Sequence, residues 1–367
     1  NNAKLYMSRN SYDNGPLIVF WETTKACELN CIHCRASAIE SRSPEELTTD
    51  EAKNLFIQLG EFSRPPVLIM TGGNPLIRDD IYDLIKSATS AGLPVAISPA
   101  VSQKLNYDSL IKMKNVGVKF MSISLDGLSS THEKIRRING VYKETIEAIR
   151  YGIKSGITVQ VNTAVMKINY LELPMIFKLI YDLGVKIWEV FFLIQTGRGS
   201  ELLDLTPEEY ESVCNFLYDA SQYNIQIRTV ECPFIRRVLN ERIEGKNYSS
   251  YIYRRLNEEL VKGMGKPSSS STLSQRGTLD GDGIIFIDHK GTIYPGGFLP
   301  VPIGNIRNDK LVKVYRESPL LKSIRNRAFN GNCGSCKYKW ECGGSRARAF
   351  SYFGDPLGSD PACILNA

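Results

Sequence analysis

Six short runs of β-branched, aliphatic and aromatic residues recur along the first half of the chain: "LIVFWET", "PVLIMTG", "PVAISPA", "KFMSISLD", "TVQVNTAV" and "WEVFFLI". Amphipathic stretches separate them, at 49–61, 78–91, 106–115, 141–155 and 171–184, and the first opens with a Thr-x-x-Glu cap signal at Thr48. Strands joined through helices come back in the same direction, so the pattern predicts an α/β fold with a parallel sheet. Six units in a row point to a barrel. The repeat fades after "TPEEYESVCNFLYDASQ", so a partial (β/α)6, TIM-like barrel is expected over residues 1–232. In such a fold the site is built at the carboxyl ends of the strands.

The next segment, 233–279, reads as charged helix over 234–264 followed by the loop "GKPSSSSTLSQRG", a connector or a lid. Residues 280–367 change character: a hairpin turning at "DHKG" leads into a Cys-rich end, which is expected to form a separate small domain. The net charge of +6 carries no clustered Lys/Arg stripe, so a nucleic-acid partner is not expected. No apolar run reaches the roughly 20 residues that span a bilayer. The start, "NNAKLYMSRNSYD", is too polar for a signal peptide, and a cytoplasmic location is expected.

Nine cysteines do not pair evenly, and seven fall in two groups, the usage of metal binding in a reducing compartment. Cys214 and Cys232 stand outside the groups and read as buried, inert thiols. The first group, in "WETTKACELNCIHCRASA" after the first strand, places Cys27, Cys31 and Cys34 at C-x3-C-x2-C. Structural zinc takes four ligands. Three thiolates suit a four-iron cubane with one iron left free for a small-molecule chelate.

This spacing, on the loop after the first strand, resembles the radical S-adenosylmethionine (SAM) enzymes. The resemblance implies their partial barrel, a 4Fe–4S cluster on the three cysteines, and SAM as the ligand of the free iron. It extends over the first two hundred residues. "TGGNP" resembles the motif that binds the SAM amino group through Gly72, Gly73 and the residue at Asn74, where relatives usually have an acid. In "SISLDG", Ser124 and Asp126 are expected at ribose hydroxyls. In "THEKIRR", Arg136 is expected at the SAM carboxylate, with the register against Arg137 open by one residue. Ser98, Asn162 and Thr163 are expected to line the pocket, and His33 to pack near adenine without a proton-transfer role. His132 and His289 read as turn residues, so no protein side chain is assigned acid/base catalysis.

Cys333, Cys336, Cys342 and Cys363 have the spacing C-x2-C-x5-C-x20-C, which closes around either zinc or a cubane. The string "CGSCKYKWECGGSRARAFSYFGDPLGSDPAC" resembles the C-terminal auxiliary-cluster region (SPASM or twitch type) of radical SAM enzymes, which implies iron–sulfur. Full SPASM modules carry a further thiol where this chain has Gly296, so one auxiliary 4Fe–4S cluster is expected.

The resemblance implies that reductive cleavage of SAM gives a 5′-deoxyadenosyl radical, which takes a hydrogen atom from substrate. The auxiliary cluster would then accept an electron, making the net reaction an oxidation. The motif "CGGSRARA" with the ending "DPAC" is similar to the alternative haem-pathway enzymes. That points to a haem-like tetrapyrrole as substrate and oxidative decarboxylation of its propionates, with Arg346 and Arg348 as candidate propionate anchors or neutralisers of cluster charge. Two alternatives stand: a maturase acting on a ribosomal peptide, and a non-catalytic iron–sulfur electron carrier. An electron donor such as ferredoxin or flavodoxin is implied in either enzymatic case.

Overall fold

The computed structural model describes residues 12–366; most of the polar start lies outside the described residues. Seven parallel strands follow one another across a single sheet: β1 (Ile18–Thr24), β2 (Val67–Gly72), β3 (Val95–Ile97), β4 (Phe120–Ser124), β5 (Thr158–Val165), β6 (Ile187–Phe192) and β7 (Gln226–Val230). Six of these were expected. The seventh, "QIRTV", alternates exposed and buried positions and pairs with β6 from Ile187–Gln226 to Phe191–Val230.

Helices α1 (Thr49–Gly60), α2 (Ile81–Ser90), α3 (Tyr107–Asn115), α4 (Ser129–Arg136), α5 (Val141–Ser155), α6 (Leu173–Asp182) and α7 (Pro207–Ala220) connect the strands. α1 starts at the anticipated capping box: Thr48 Oγ1 accepts from the Glu51 N–H, and the Glu51 carboxylate accepts from the Thr48 N–H. α4 was not foreseen. Its sequence, "SSTHEKIR", has little apolar content, and it forms because Ile135 and His132 are buried against the barrel.

The alternation along β5 shows where the open space lies. Val159, Val161, Thr163 and Val165 are buried beneath the helices, whereas Gln160, Asn162 and Ala164 on the other face stay half-buried. The same parity holds in β4 and β6, whose inward residues are Ser122, Ser124, Glu189 and Phe191. The helical layer is packed shut, and the barrel interior is polar and incompletely filled.

Beyond β7 come α8 (Ile235–Ile243) and α9 (Tyr251–Met264), so the charged segment is two helices. The serine-rich loop does not cover the mouth. Ser269 and Thr272 donate backbone N–H groups to Gln222 and Ser221, and Thr272 Oγ1 donates to Ile225 O, all at the entry end of β7, opposite the strand ends that carry the site. The chain then forms β8 (Leu279–Asp280), β9 (Gly283–Ile287), β10 (Thr292–Tyr294) and β11 (Gly304–Asn305), with the hairpin turning at 288–291 as anticipated. β9 pairs in parallel with β1, Ile18 to Ile284 through Trp21 to Ile287, so the C-terminal segment extends the barrel sheet at its first strand. Four short helices finish the chain: α10 (Leu311–Glu317), α11 (Pro319–Arg325), α12 (Gly331–Ser335) and α13 (Arg346–Phe353).

Candidate active site

The cysteine loop leaves the end of β1 and is held from several sides. Gly73 and Asn74, after β2, donate backbone N–H groups to Thr24 O (2.8 Å) and Ala26 O (2.7 Å). This approach requires glycine: Gly72 has φ +136°, and a Cβ on Gly73 would lie 2.0 Å from Ala26 O. From α4, Ile135 O accepts from the Ile32 N–H at 3.0 Å. From the loop after β6, Arg198 donates its backbone N–H to Cys34 O (2.9 Å), Nε to Cys31 O (2.9 Å) and a terminal N–H to Ala38 O (3.3 Å). Gly197 beside it has φ +59° and leaves no room for a Cβ, which would meet Cys34 O at 2.4 Å. Sequence reasoning missed Arg198, although "TGRGS" at a strand's carboxyl end was the available signal.

Arg35 ties this loop to the C-terminal segment. Its guanidinium pairs with Glu22 (2.7 Å), donates to Gly297 O (3.2 Å) and stacks over Phe286 at 4.4 Å. His289, in the hairpin turn, pairs with the same carboxylate at 2.8 Å. Burial pushes Glu22 up, but His289 and Arg35 outweigh it and hold the carboxyl below the usual range.

Each sulfur of the first group has an N–H aimed at it. Leu29 N lies 3.4 Å from Cys27 Sγ, Ala38 N 3.5 Å from Cys34 Sγ, and an Arg136 guanidinium N 3.6 Å from Cys31 Sγ. Such donors favour the thiolate form that an iron–sulfur cluster requires. Burial pushes the Cys27 thiol up to about 11, against the Leu29 N–H, which favours the thiolate. Arg136, and not Arg137, therefore faces the loop; Arg137 closes α4 in the left-handed conformation at φ +59°.

The expected SAM-binding residues divide by location. Ser98 (2.5 Å from Ser122 Oγ), Ser124 and Asn162 sit on the half-buried inner face. Thr163 does not. Strand alternation turns it outward, where Oγ1 donates to Leu125 O (2.7 Å) and accepts from Trp188 Nε1 (2.9 Å). Asp126 is also buried, at 1% exposure; it is paired with Arg136 and accepts from the Ala164 N–H (2.8 Å), so it supports the arginine and does not stand free for a ribose. Burial pushes its carboxyl up, yet the Arg136 charge wins and keeps it below the carboxylate range. Asn74 is fully buried. His33 Nε2 lies 3.8 Å from Asp126, and burial holds its ring down to about 4, neutral at physiological pH. His132 lies in α4, not in a turn, accepting from the Asp126 N–H at 3.0 Å.

All four cysteines of the second group line one small hollow, with Gly343, Gly344, Tyr338 and Asn366. Backbone N–H groups of Asp360, Tyr338 and Gly344 lie 3.4 Å from the sulfurs of Cys333, Cys336 and Cys342. A Cβ on Gly296 would lie 1.8 Å from Asp280 Oδ1, so no side chain fits there.

Arg346 and Arg348 are both 1% exposed. Arg346 donates to Gly344 O, Pro356 O and Gly358 O and stacks on Phe329 at 4.2 Å. Arg348 pairs with Asp360 (3.4 Å) and stacks on Tyr210 at 4.7 Å. Buried among these partners, neither guanidinium reaches the surface to anchor a substrate propionate. Cys214 and Cys232 are buried in the core with their sulfurs 3.1 Å apart.

A partial parallel barrel with a three-thiol loop at the end of its first strand defines a class of enzyme. A sequence profile described as the radical SAM superfamily matches residues 21–180. The chain is 32% identical to the AdoMet-dependent heme synthase of Methanosarcina barkeri, covering 96% of this chain and 97% of that one. It is 33% identical to the AdoMet-dependent heme synthase of Oleidesulfovibrio alaskensis, over 97% and 90%. Among solved structures it resembles Streptococcus suis SuiB bound to S-adenosylmethionine, with a TM-score of 0.67 at 15% identity over 99% of this chain and 80% of that one. The chain belongs to the radical SAM superfamily. Its enzymatic character, and the SAM and 4Fe–4S cluster that define the superfamily, come with that membership.

Proposed function

We propose that the enzyme oxidatively decarboxylates propionate side chains of a haem-like tetrapyrrole, an iron coproporphyrin, to vinyl groups. The observation that carries this is near full-length similarity, in both directions, to relatives named AdoMet-dependent heme synthase. Cys27, Cys31 and Cys34 would hold the cluster whose bound SAM supplies a 5′-deoxyadenosyl radical when reduced. Cys333, Cys336, Cys342 and Cys363 would hold one auxiliary 4Fe–4S cluster, an electron sink suited to a net oxidation.

The chain's own groups position the reactants. Gly72 and Gly73 let the backbone approach the SAM amino group closely. Arg136, fixed by Asp126, takes the SAM carboxylate, while Ser98, Ser124 and Asn162 line the pocket and neutral His33 packs at adenine. The half-exposed rings of Phe191 and Phe298, with centroids 6.3 Å apart, offer apolar surface at the mouth for a flat macrocycle. No helix among the described residues is long and apolar enough to cross a membrane. We place the enzyme in the cytoplasm, where a ferredoxin or flavodoxin can reduce it.

Anaerobic incubation with SAM, reductant and iron coproporphyrin III, followed by mass spectrometry, tests the proposal. It predicts stepwise loss of carboxyl groups with formation of 5′-deoxyadenosine. Deoxyadenosine without any change in the porphyrin would refute the tetrapyrrole assignment and favour a peptide substrate.

A further inference from the structure

The strand-2 motif of this chain reads Gly72-Gly73-Asn74, and all four hydrogen-bonding positions of the Asn74 amide are already occupied. Its Oδ1 accepts from Leu76 N (3.2 Å) and Ala100 N (3.3 Å). Its Nδ2 donates to Glu28 Oε2 (2.9 Å) and Ser102 Oγ (3.2 Å). With 0% exposure it has neither a free lone pair nor a charge for a ligand. The ammonium of SAM, expected beside Gly72 and Gly73, therefore has no anionic partner at residue 74.

A carboxylate does stand there, supplied by a different loop. Glu28 follows Cys27 directly, is exposed, and spans the gap to the loops after β2 and β3, accepting from Asn74 with Oε2 and from Ser102 Oγ (3.3 Å) with Oε1. Among the described residues no arginine or lysine forms an ion pair with it, and its two hydrogen bonds come from the neutral Asn74 and Ser102. Each of its oxygens retains accepting capacity after one hydrogen bond. The two side chains form one unit: Asn74 is the buried brace, and Glu28 the charged tip one hydrogen bond away.

The geometry points to Glu28 as the group that pairs with the ammonium of SAM, so that in this chain the acid is carried by the cysteine loop and Asn74 positions it. This rests on the assignment of SAM to the Gly72–Gly73 cradle. A consequence is that SAM affinity and cluster binding are linked through a single loop, because displacement of the cysteine loop moves Glu28 with it.

The test uses anaerobically reconstituted full-length protein, with SAM and an analogue lacking the α-amino group titrated by calorimetry. Glu28→Gln keeps the acceptor for Asn74 Nδ2 but removes the charge. Loss of a charge-assisted contact corresponds to a weakening of about tenfold or more for SAM, with the amino-free analogue bound equally by wild type and variant. Equal SAM affinity in wild type and E28Q overturns the inference. So does an equal loss for both ligands, which would assign Glu28 a purely structural role. If the wild type binds SAM no better than the amino-free analogue, the placement of SAM in the cradle falls with it; normal discrimination in the wild type with none lost in E28Q overturns the Glu28 assignment alone.

Discussion

Arg198 makes the sharpest prediction, because a side chain outside the cysteine motif holds that motif's backbone. Its guanidinium bridges Cys31 O and Ala38 O, the two ends of the second half of the loop. Arg198→Ala removes both bonds and leaves their carbonyls to find water, while the backbone bond from residue 198 to Cys34 O can persist. Hydrogen bonds to a charged donor contribute about 1.5–3 kcal/mol each. Because Arg198 is only half-buried, the low end applies, and the pair is worth roughly 2–4 kcal/mol. For a chain of this size each kcal/mol shifts the melting midpoint by about 2 °C, so R198A should melt about 4–8 °C lower. The loss should be concentrated in the loop. In a background with Cys336 and Cys342 replaced, so that iron reports the first group alone, R198A should retain much less iron after anaerobic reconstitution. R198K, with a charge but no fork to bridge two carbonyls, should fall between. An R198A protein with wild-type melting and full iron content would refute the assignment of Arg198 as the clasp of the loop.

Three further outcomes follow from the same geometry. Replacing Cys27, Cys31 and Cys34 together should abolish SAM cleavage, whereas replacing Cys336 and Cys342 should spare cleavage and stop product formation; equal loss in both, read by deoxyadenosine yield, contradicts the division. Gly73→Ala should cost more than about 2 kcal/mol in denaturant melts and weaken SAM binding, since its Cβ meets backbone at 2.0 Å and cannot be relieved by a rotamer change. Asp280 is pushed well above the carboxylate range by burial and then by the neighbouring Glu231 carboxyl. The native state thus keeps a proton that the unfolded chain releases near pH 4, and stability declines as the pH rises through the raised value. Asp280→Asn should therefore melt higher than wild type at pH 8, with the gain shrinking toward pH 4; a pH-independent difference contradicts the shift.

Much of the barrel was legible because six of its strands carry a period-two or continuous apolar signal and five of its helices an apolar stripe, which α4 lacks. β7 was not anticipated, since its pairing with β6 depends on sheet order and not on local sequence. The parallel pairing of β9 with β1 is a contact between residues more than two hundred and sixty positions apart, which no local pattern encodes. The three-cysteine loop after β1 was legible because its spacing lies within one short segment of chain. Thr163 was misplaced although the parity rule was available: Asn162 and Thr163 are adjacent in one strand and cannot both face the interior. Arg346 and Arg348 could not be sorted from sequence, because only burial and the carbonyls around them separate a structural arginine from an anchoring one.

The first cysteine group, with three thiols, is expected to leave one iron corner open for SAM, and electron paramagnetic resonance reads that corner. Protein with Cys336 and Cys342 replaced, reconstituted anaerobically and reduced, should show one cluster signal that changes on addition of SAM. An unchanged spectrum, or zinc in place of iron at Cys27, Cys31 and Cys34, would show that SAM has no iron corner to bind.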